Sequence, residues 1–210
     1  MRASWPWIRP DDAVSELETL TDLLDAAWMH MARGVSDRKH GFHLPVVSTV
    51  RDGQPTGRVV VLRVAERASR TLLFHTDLRA QKTQELGDGV AFTFYDARRR
   101  LQLRATGSAR LAEPELTDAR WDASNNPARK CYLVTPAPGT PLAEWQSGHT
   151  GELDQGRVPT TDETHFGRQN FAVVVTQVHT LEVLRVERLG HRRARFTWTC
   201  DGWNGTWLQA

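Results

Sequence analysis

Side chains that could bind an anionic, partly aromatic ligand recur between positions 58 and 102 of the sequence. In chain order they are Arg58 and Arg63 in "RVVVLR", His75 and Thr76 in "FHT", Lys82, and Gln102 in "LQL". The run "GRVVVLRV" at 57–64 is rich in β-branched residues and predicts a buried strand, in which an arginine is costly unless an anion or a carboxylate meets it. The two arginines therefore predict a negatively charged partner, either a side chain or a bound ligand.

The chemistry that these residues indicate first is the binding of a phosphate group. Arg58 supplies a guanidinium, Lys82 an ammonium, and Thr76 a hydroxyl together with a backbone N–H at the predicted start of a helix. Each hydrogen bond to such a charged group contributes roughly 1.5–3 kcal/mol. The amide of Gln102 offers a donor and an acceptor, which suits the edge of a heteroaromatic ring. Taken singly, Lys82 is also typical of a solvated helix, and Thr76 of a helix start.

The spacing of the two arginines limits how they can share a ligand. Positions 58 and 63 point to opposite faces of a regular strand, because side chains alternate along it. Both can serve one ligand only if the strand bulges or twists, or if the ligand is long. Flavin mononucleotide (FMN) is long enough, with its phosphate at one arginine and its ring system near the other.

Composition narrows the class of protein. The chain has 210 residues and a formal net charge of only +2, so its charge balance does not indicate nucleic acid as a partner. The basic stretches 96–100 and 190–195 are typical of solvated turns or small-anion sites. No secretory signal and no run of about 18 apolar residues is evident, which argues against a membrane partner. Two distant cysteines, Cys131 and Cys200, favour a reducing, cytoplasmic location.

Other motifs are lacking or weak. The sequence has no GxGxxG and no GxxxxGK[ST] loop for a dinucleotide or nucleoside triphosphate. The histidines show no metal-ligand spacing beyond "HGFH" at 40–43, which we interpret as a solvated loop.

The elements that must position these residues are mainly β-strands. A helix is predicted over 11–34, capped by Asp11 or Asp12 and ended by Gly34. Short strands follow, with a hairpin signal at Asp52-Gly53 and a long loop over 135–169. This order predicts one mainly β domain over 1–210, a small closed or split antiparallel barrel with peripheral helices.

Three stretches resemble the pyridoxamine 5′-phosphate oxidase family: "RVVVLR" at 58–63, "FHTDLRAQK" at 74–82 and "LQLRATGSARL" at 101–111. The resemblance runs over about 40–112 and resumes at 170–198. It implies an FMN-binding split barrel that works as a homodimer, with FMN at the subunit interface.

The resemblance also implies the residues that contact FMN. Arg58 and Lys82 hold the phosphate, Gln102 contacts the ring, and Arg63 stands near ring and substrate where the family has a lysine. The full implied set is Arg58, Val59, Val60, Val61, Leu62, Arg63, His75, Thr76, Gln81, Lys82, Gln102 and Arg195.

The substrate end departs from the family. The family's tyrosine, arginine and serine, four residues apart on the helix after the fifth strand, correspond to Trp121, Asn125 and Arg129, so the central arginine is missing. The family's Arg-x-His pair reads His191-x-Arg193 here. With Arg63, these residues are the candidate substrate contacts.

The resemblance implies an FMN-dependent oxidoreductase that transfers a hydride equivalent between FMN and a small substrate, one resembling pyridoxine or pyridoxamine phosphate or another small heteroaromatic compound. Two alternatives remain open: a non-catalytic flavin- or haem-binding protein on the same barrel, and a degenerate barrel that serves only as a dimeric scaffold.

Overall fold

The computed structural model describes residues 19–188 and 190–210. The predicted start of the first helix and its caps Asp11 and Asp12 lie outside these residues. Within them, α1 spans Leu20–Ser36 and begins at a capping box, in which the Thr19 hydroxyl accepts from the backbone N–H of Asp22 and the Asp22 carboxylate accepts in return.

The helix does not end at Gly34. Gly34 lies inside α1, where a Cβ would come within 2.7 Å of the backbone of Phe42. Its role is therefore close packing of the helix against the segment that follows, and not termination.

Nine strands of the described residues form one antiparallel sheet, and short helices accompany it. The strands are β1 (Val46–Arg51), β2 (Gln54–Val59), β3 (Leu62–Glu66), β4 (Thr71–Asp77), β5 (Asp88–Asp96), β6 (Leu101–Leu111), β7 (Phe171–Arg185), β8 (Arg192–Thr199) and β9 (Gly202–Leu208). The later helices are α2 (Pro114–Asp122), α3 (Asn126–Arg129) and α4 (Thr161–His165).

The long strand β7 organises the sheet. The strand order is β2-β1-β5-β6-β7-β4-β3; β8 also pairs with β7, and β9 with β8. The first half of β7 pairs with β4, its second half pairs with β8, and β6 runs along both halves. One strand that joins two groups of partners in this way curves the sheet into a split barrel.

The β1–β2 hairpin is tighter than the length of its "DGQPTG" linker suggests. Arg51 pairs with Gln54, so Asp52 and Gly53 alone form the turn, with φ values of 51° and 75°. A two-residue turn with both φ angles positive is the type I′ geometry that Asp-Gly favours. Pro55 is accommodated because β2 lies at the edge of the sheet.

The run at 57–64 is not one buried strand. The chain leaves β2 after Val59 and enters β3 at Leu62, while Val60 and Leu62 donate backbone N–H groups to the carbonyls of Pro45 and His43. The β3–β4 register then shifts between Leu62 and Val64, which makes Arg63 an extra residue in a bulge. The two arginines therefore stand on different strands.

Two apolar clusters hold the elements together. The larger one lies between α1 and the inner face of the sheet and includes Met31, Phe42, Phe74, Phe92 and Phe94, all 0% exposed. The smaller one joins α2 to the β4–β7 pair and is built from Leu73, Trp121, Phe171 and Val173. Each buried side chain of this size contributes about 1.5–3 kcal/mol.

Two predicted segments have more regular or more buried structure than expected. The segment 135–169 contains α4 and two 3₁₀ turns, Gly151–Leu153 and Arg168–Asn170. The "HGFH" stretch is not a solvated loop, because His40 and His43 are buried and His43 hydrogen-bonds through Nδ1 to the Gly34 carbonyl at 2.7 Å. Within the described ranges, no helix has the length and apolar character needed to span a membrane.

Candidate functional site

A cleft of about 590 Å³ opens where the β2–β3 connection, the end of β4 and the segment around 131–139 meet. We call it the β2–β4 cleft. It brings together eight predicted cofactor residues: Arg58, Val59, Val60, Val61, His75, Thr76, Gln81 and Lys82. Leu44, Asp77, Ala80, Cys131, Tyr132, Pro138 and Gly139 complete its wall. Its volume is in the range of pockets that hold small molecules.

Arg58 lines the cleft and also forms an ion pair with a carboxylate, that of Glu85. Its Nη2 donates to Oε2 of Glu85 at 3.0 Å and to the hydroxyl of Thr56 at 2.9 Å, and its Nη1 donates to the hydroxyl of Thr49 at 2.5 Å. The hydrogen bond from Thr49, followed by those from Thr56 and Arg58, lowers the pKa of Glu85 despite its burial. The guanidinium is thus held in one orientation by groups on β1, on β2 and after β4.

Lys82 lies near the same wall and has no ion pair with the residues that the structure describes. Its Nζ donates to the hydroxyl of the buried Thr76 at 2.9 Å. Burial, and then the positive charge of Arg58, lower the pKa of Lys82. The helix predicted around Lys82 is only a 3₁₀ turn, Gln81–Gln84, so a helix dipole contributes little here. An anion contacting Lys82 and Arg58 together would relieve their mutual repulsion.

The rest of the 58–63 run contributes in different ways. Val59, Val60 and Val61 line the cleft, whereas the side chain of Leu62 is 0% exposed and packs in the larger apolar cluster. Leu62 therefore cannot contact a ligand in the cleft through its side chain.

His75 lines the β2–β4 cleft and also a second cavity of about 240 Å³. Its ring packs against Phe171 with centroids 4.9 Å apart, and its Nε2 is buried without a hydrogen-bond partner in the described part of the chain. Burial, and then the charges of Arg63 and Arg120, lower the pKa of His75 to about 4. The imidazole is therefore neutral near pH 7.

We call the second cavity the arginine pocket. It is lined by Arg38, Arg63, His75, Arg120, Ala123, Ser124, Asn125 and Ala128. No carboxylate is among these residues, and the Nε atom of Arg63 is buried without a hydrogen-bond partner in the described residues. The bulge in β3 thus directs Arg63 to a cavity different from the one that Arg58 reaches.

Gln102 and Arg195 lie outside both cavities, on the outer face of the sheet. Gln102 is half-buried between the inward-facing Leu101 and Leu103, as its alternation predicts. Arg195 donates to Oε2 of Glu182 at 3.2 Å.

Glu182 forms ion pairs with three arginines on this face of the sheet. Arg193 donates to its Oε1 at 3.0 and 2.7 Å, and Arg104 pairs with the same atom. Burial acts to raise the pKa of Glu182, but the hydrogen bonds from Arg193, Arg104 and Arg195 outweigh it and lower that pKa.

Of the predicted substrate residues Trp121, Asn125 and Arg129, Asn125 lines one of the two cavities described above. Asn125 lines the arginine pocket, where its side chain also caps α3 by accepting from the N–H of Ala128 at 3.0 Å. Trp121 is buried in the smaller apolar cluster. The Arg129 guanidinium lies 4.8 Å from the Trp121 ring and donates to the Trp121 carbonyl at 2.9 Å. Trp121 and Arg129 therefore support each other within the protein.

The predicted pair His191 and Arg193 is not brought to either cavity. His191 is exposed and its Nδ1 accepts from the backbone N–H of Glu187 at 3.2 Å. Arg193 belongs to the Glu182 cluster described above. Both lie at the β7–β8 end of the sheet.

Sequence reasoning missed Arg38, Arg120 and Glu85. The substrate role assigned to Trp121, Asn125 and Arg129 stays a prediction. In the structure Arg120, Ser124 and Ala128, at the same four-residue spacing but one position earlier, line the arginine pocket. Arg38 and Glu85 reach these sites through contacts between distant parts of the chain, which the sequence pattern does not show.

The donor set of the β2–β4 cleft fits FMN. Arg58, Lys82 and Thr76 offer a guanidinium, an ammonium and a hydroxyl, which are suitable partners for a phosphate. Val59, Val60 and Val61 add apolar wall beside these donors, which suits a planar heteroaromatic ring.

Comparison with known proteins finds a family match over part of the chain. Residues 25–113 match the family described as "Pyridoxamine 5'-phosphate oxidase, FMN-binding domain". The match covers the predicted cofactor-binding stretches and less than half of the chain. FMN is accordingly the cofactor of this domain, as the resemblance implied.

Relatives of the FMN-binding domain support the same assignment. The chain is 27% identical to pyridoxine/pyridoxamine 5′-phosphate oxidase 2 of Arabidopsis thaliana over 153 residues, which are 65% of this chain and 76% of that protein. A pyridoxamine 5′-phosphate oxidase-related, FMN-binding protein from Nostoc punctiforme superposes with a TM-score of 0.68 at 19% identity, covering 89% of this chain and 96% of that one.

A third relative, PhzG from Burkholderia lata in complex with tetrahydrophenazine-1-carboxylic acid, superposes with a TM-score of 0.64 at 18% identity over 99% of this chain and 100% of that one. At these identities the two solved structures establish the fold. The predicted mainly β, antiparallel split barrel with peripheral helices is confirmed.

Proposed function

We propose that this protein is an FMN-dependent oxidoreductase that resembles pyridoxamine 5′-phosphate oxidase and acts on a small molecule. The observation that carries the proposal is the convergence of Arg58, Lys82 and Thr76 on one cleft, with His75 connecting that cleft to a second, positively charged cavity. A site for the cofactor and a separate site for another ligand thus adjoin each other.

The residues of this chain bind and orient the cofactor. When bound, FMN supplies the capacity to accept or donate a hydride equivalent. Arg58 and Lys82 hold its phosphate, and the connection at 59–61 supports its ring. His75, neutral near pH 7, offers a hydrogen bond at the boundary of the two cavities without adding charge. The proposed reaction needs no side-chain base.

We further propose a homodimer with FMN at the subunit interface. One rung of the sheet runs along the outer face from Val59 at the cleft to Arg195, through Val46, Thr93, Arg104 and Glu182. Five strand spacings separate its ends, about 24 Å along the sheet. Arg195 therefore cannot complete the cleft of its own chain by this route, whereas a second copy could present Gln102 and Arg195 to it.

Exposed apolar side chains favour the same arrangement. Val59 is 60% exposed, Tyr95 is 56% exposed and Val46 is 37% exposed. Register places all three on the face that carries Gln102 and Arg195. Exposed apolar side chains beside charged groups on one face of a sheet are compatible with a subunit interface.

The substrate class follows from the curated relative. The Arabidopsis protein is named for oxidising pyridoxine or pyridoxamine 5′-phosphate, and we propose a substrate of that kind or another small heteroaromatic compound. A cytoplasmic location is supported by the two free, exposed cysteines Cys131 and Cys200, which a reducing compartment keeps as thiols.

Absorption spectroscopy of the purified protein, followed by turnover, tests the proposal. We expect a yellow protein that releases FMN on denaturation and oxidises pyridoxamine phosphate or a related donor with formation of peroxide. A flavin that stays bound but reacts with neither candidate donors nor pyridine nucleotides would favour the non-catalytic binding protein. A colourless protein that does not bind added FMN would reject the oxidoreductase and the flavin-binding protein, and would favour the dimeric scaffold.

A further inference from the structure

Asp77 places a negative charge in the wall of the β2–β4 cleft, beside the cation that we assign to the phosphate of FMN. Its side chain lines the cleft and is 8% exposed. Burial and the charge of Arg58 lower the pKa of Lys82, and the charge of Asp77 acts next to raise it, so the two side chains lie close together. A carboxylate in this place repels a phosphate. The binding of a doubly charged ligand therefore requires that the charge of Asp77 be neutralised.

Arg79 neutralises Asp77 through a bidentate ion pair. Its Nε donates to Oδ1 of Asp77 at 3.0 Å, and its Nη2 donates to Oδ2 at 2.7 Å. The backbone N–H of Arg79 also donates to Oδ1, at 2.8 Å. The hydrogen bond to Asp77 raises the pKa of Arg79. Because a guanidinium and a carboxylate in this geometry fix each other's orientation, both oxygen atoms of Asp77 are held in place.

The same guanidinium contacts a distant segment of the cleft wall. Its Nη2 donates to the backbone carbonyl of Val134 at 3.1 Å, across a separation of 55 residues. Val134 directly precedes the stretch 135–139, in which Pro138 and Gly139 line the cleft. An ion pair between residues two positions apart is by itself typical of a solvated turn. The long-range hydrogen bond instead connects the end of β4 to the segment that borders the cleft.

Backbone hydrogen bonds next to Arg79 hold the same segment. The N–H of Leu78 donates to the Asn170 carbonyl at 2.7 Å, and Nδ2 of Asn170 donates to the carbonyl of the cleft residue Tyr132 at 2.8 Å. The N–H of Thr135 donates to the Gly148 carbonyl at 2.8 Å, which closes 135–148 as a compact loop. Arg79 connects this network to the charged wall of the cleft.

We propose that Arg79 is a positioning residue for FMN, which neutralises Asp77 and holds the segment 131–139 against the end of β4. This inference deepens the proposed function and rests on it, because FMN is the ligand that the cleft receives. Arg79 itself does not line the cleft, so it acts through Asp77 and Val134. Its removal leaves an unpaired carboxylate beside the phosphate and loosens one wall of the cleft.

Flavin fluorescence titration of the FMN-free protein, followed by measurement of the dissociation rate, tests the inference. We expect Arg79→Ala to weaken FMN binding by about tenfold or more, mainly through faster dissociation. Arg110→Ala is the matched control, because Arg110 forms an exposed ion pair with Glu113 and lines neither cavity described above. Equal FMN affinity in Arg79→Ala and the wild-type protein, or an equal loss in the control, would overturn the inference.

Two further variants separate the neutralisation of Asp77 from a general effect on stability. Asp77→Asn combined with Arg79→Ala removes the unpaired carboxylate, and we expect it to bind FMN about threefold or more tightly than Arg79→Ala alone. Dissociation should stay faster than in the wild-type protein, because the contact with Val134 is still missing. Arg79→Lys keeps the charge but lacks the planar fork, so its affinity should be intermediate. A double variant that binds FMN no better than Arg79→Ala would contradict the positioning role.

Hydrogen exchange of the FMN-free protein separates this inference from the proposed function. The amide of Thr135 should exchange about tenfold or more faster in Arg79→Ala, while the amides of β5 keep their rates. If the wild-type protein does not bind FMN, the proposed function fails, whereas this local change would still support the holding of the segment 131–139. Unchanged exchange at Thr135 would reject that part of the inference whether or not FMN binds.

Discussion

The Nη2 atom of Arg58 donates to Oε2 of Glu85 across 3.0 Å, beside the wall where we expect the phosphate of FMN to bind. The carboxylate side chain is 5% exposed and also accepts from Thr49 and Thr56. Glu85 thus holds the guanidinium in place while it offsets part of the positive charge that attracts a phosphate.

Replacing Glu85 with glutamine should tighten FMN binding. Glutamine keeps the length of the side chain and an acceptor for Arg58, but it removes a negative charge close to the phosphate. With the screening typical of a partly buried site, we expect a gain of about three- to tenfold in affinity, measured by flavin fluorescence titration. Weaker binding by Glu85→Gln would show that orientation of Arg58 matters more than charge.

Loss of the cleft cations should release FMN. Arg58→Ala and Lys82→Ala each remove a charge-assisted contact, and we expect each to weaken FMN binding by about 10- to 100-fold. Dialysis followed by the flavin absorbance of the retained protein measures the effect. Arg67→Ala is the control, because Arg67 pairs with Asp25 at the surface. Tight FMN binding by the double variant would refute the phosphate assignment.

Mixed dimers test whether two chains build each site. One variant carries Arg58→Ala and Lys82→Ala, and the other carries Gln102→Ala and Arg195→Ala. Neither should bind FMN tightly alone, but subunit exchange between them should restore about a quarter of the sites, because each heterodimer contains one intact combination. Flavin absorbance after mixing and desalting reports the restored sites. No recovery despite proven exchange would contradict the shared site.

Acid should destabilise the protein through the buried pair His30 and His40. Their rings are stacked at 5.3 Å, and His40 lies 3.9 Å from Asp96, which Arg99 also contacts. Burial, and then the charges of Arg99 and His40, lower the pKa of His30 from 6.5 to about 4. The unfolded chain therefore binds more protons between these values, and stability falls as the pH drops from about 6.5 to about 4.

For His30 alone the loss amounts to roughly 3 kcal/mol, and the lowered pKa of His40 acts with the same sign. Urea unfolding at a series of pH values measures the slope, which should become shallower in His30→Gln and stay unchanged in His179→Gln, an exposed control. An unaltered slope in His30→Gln would contradict this prediction.

Arg129 should act on stability and not on the cofactor. Its guanidinium donates to the carbonyls of Trp121 and Asp122 and lies over the Trp121 ring. Truncation removes these hydrogen bonds and the contact with the Trp121 ring, so we expect Arg129→Ala to lower the free energy of unfolding by about 2–4 kcal/mol while FMN content is kept. Urea unfolding and absorbance in parallel separate the two effects. If Arg129→Ala is as stable as the wild-type protein but loses flavin, Arg129 has a ligand-binding role and this prediction is wrong.

The sequence by itself determined the fold class, the cofactor and most of the cleft. Strand patterns and the motifs around Arg58, Thr76 and Lys82 are local, because each depends on alternation or on a spacing of a few residues. Those residues converge because β2, β4 and the turn after β4 carry them to one place. The inward leucines beside Gln102 likewise follow from period two alone.

Only the tertiary structure decided which cavity each arginine faces. The bulge at Arg63 and the break after Val59 depend on pairing with β4 and on backbone contacts to Pro45 and His43, which no local pattern contains. Arg38 enters the arginine pocket from a segment far along the chain, and a shift of one residue on α2 exchanges a buried Trp121 for a pocket-lining Arg120. The rotation of the helix and its long-range packing decide which residues face a cavity. Periodicity therefore predicts the spacing of the residues at a site but not which set of positions faces it.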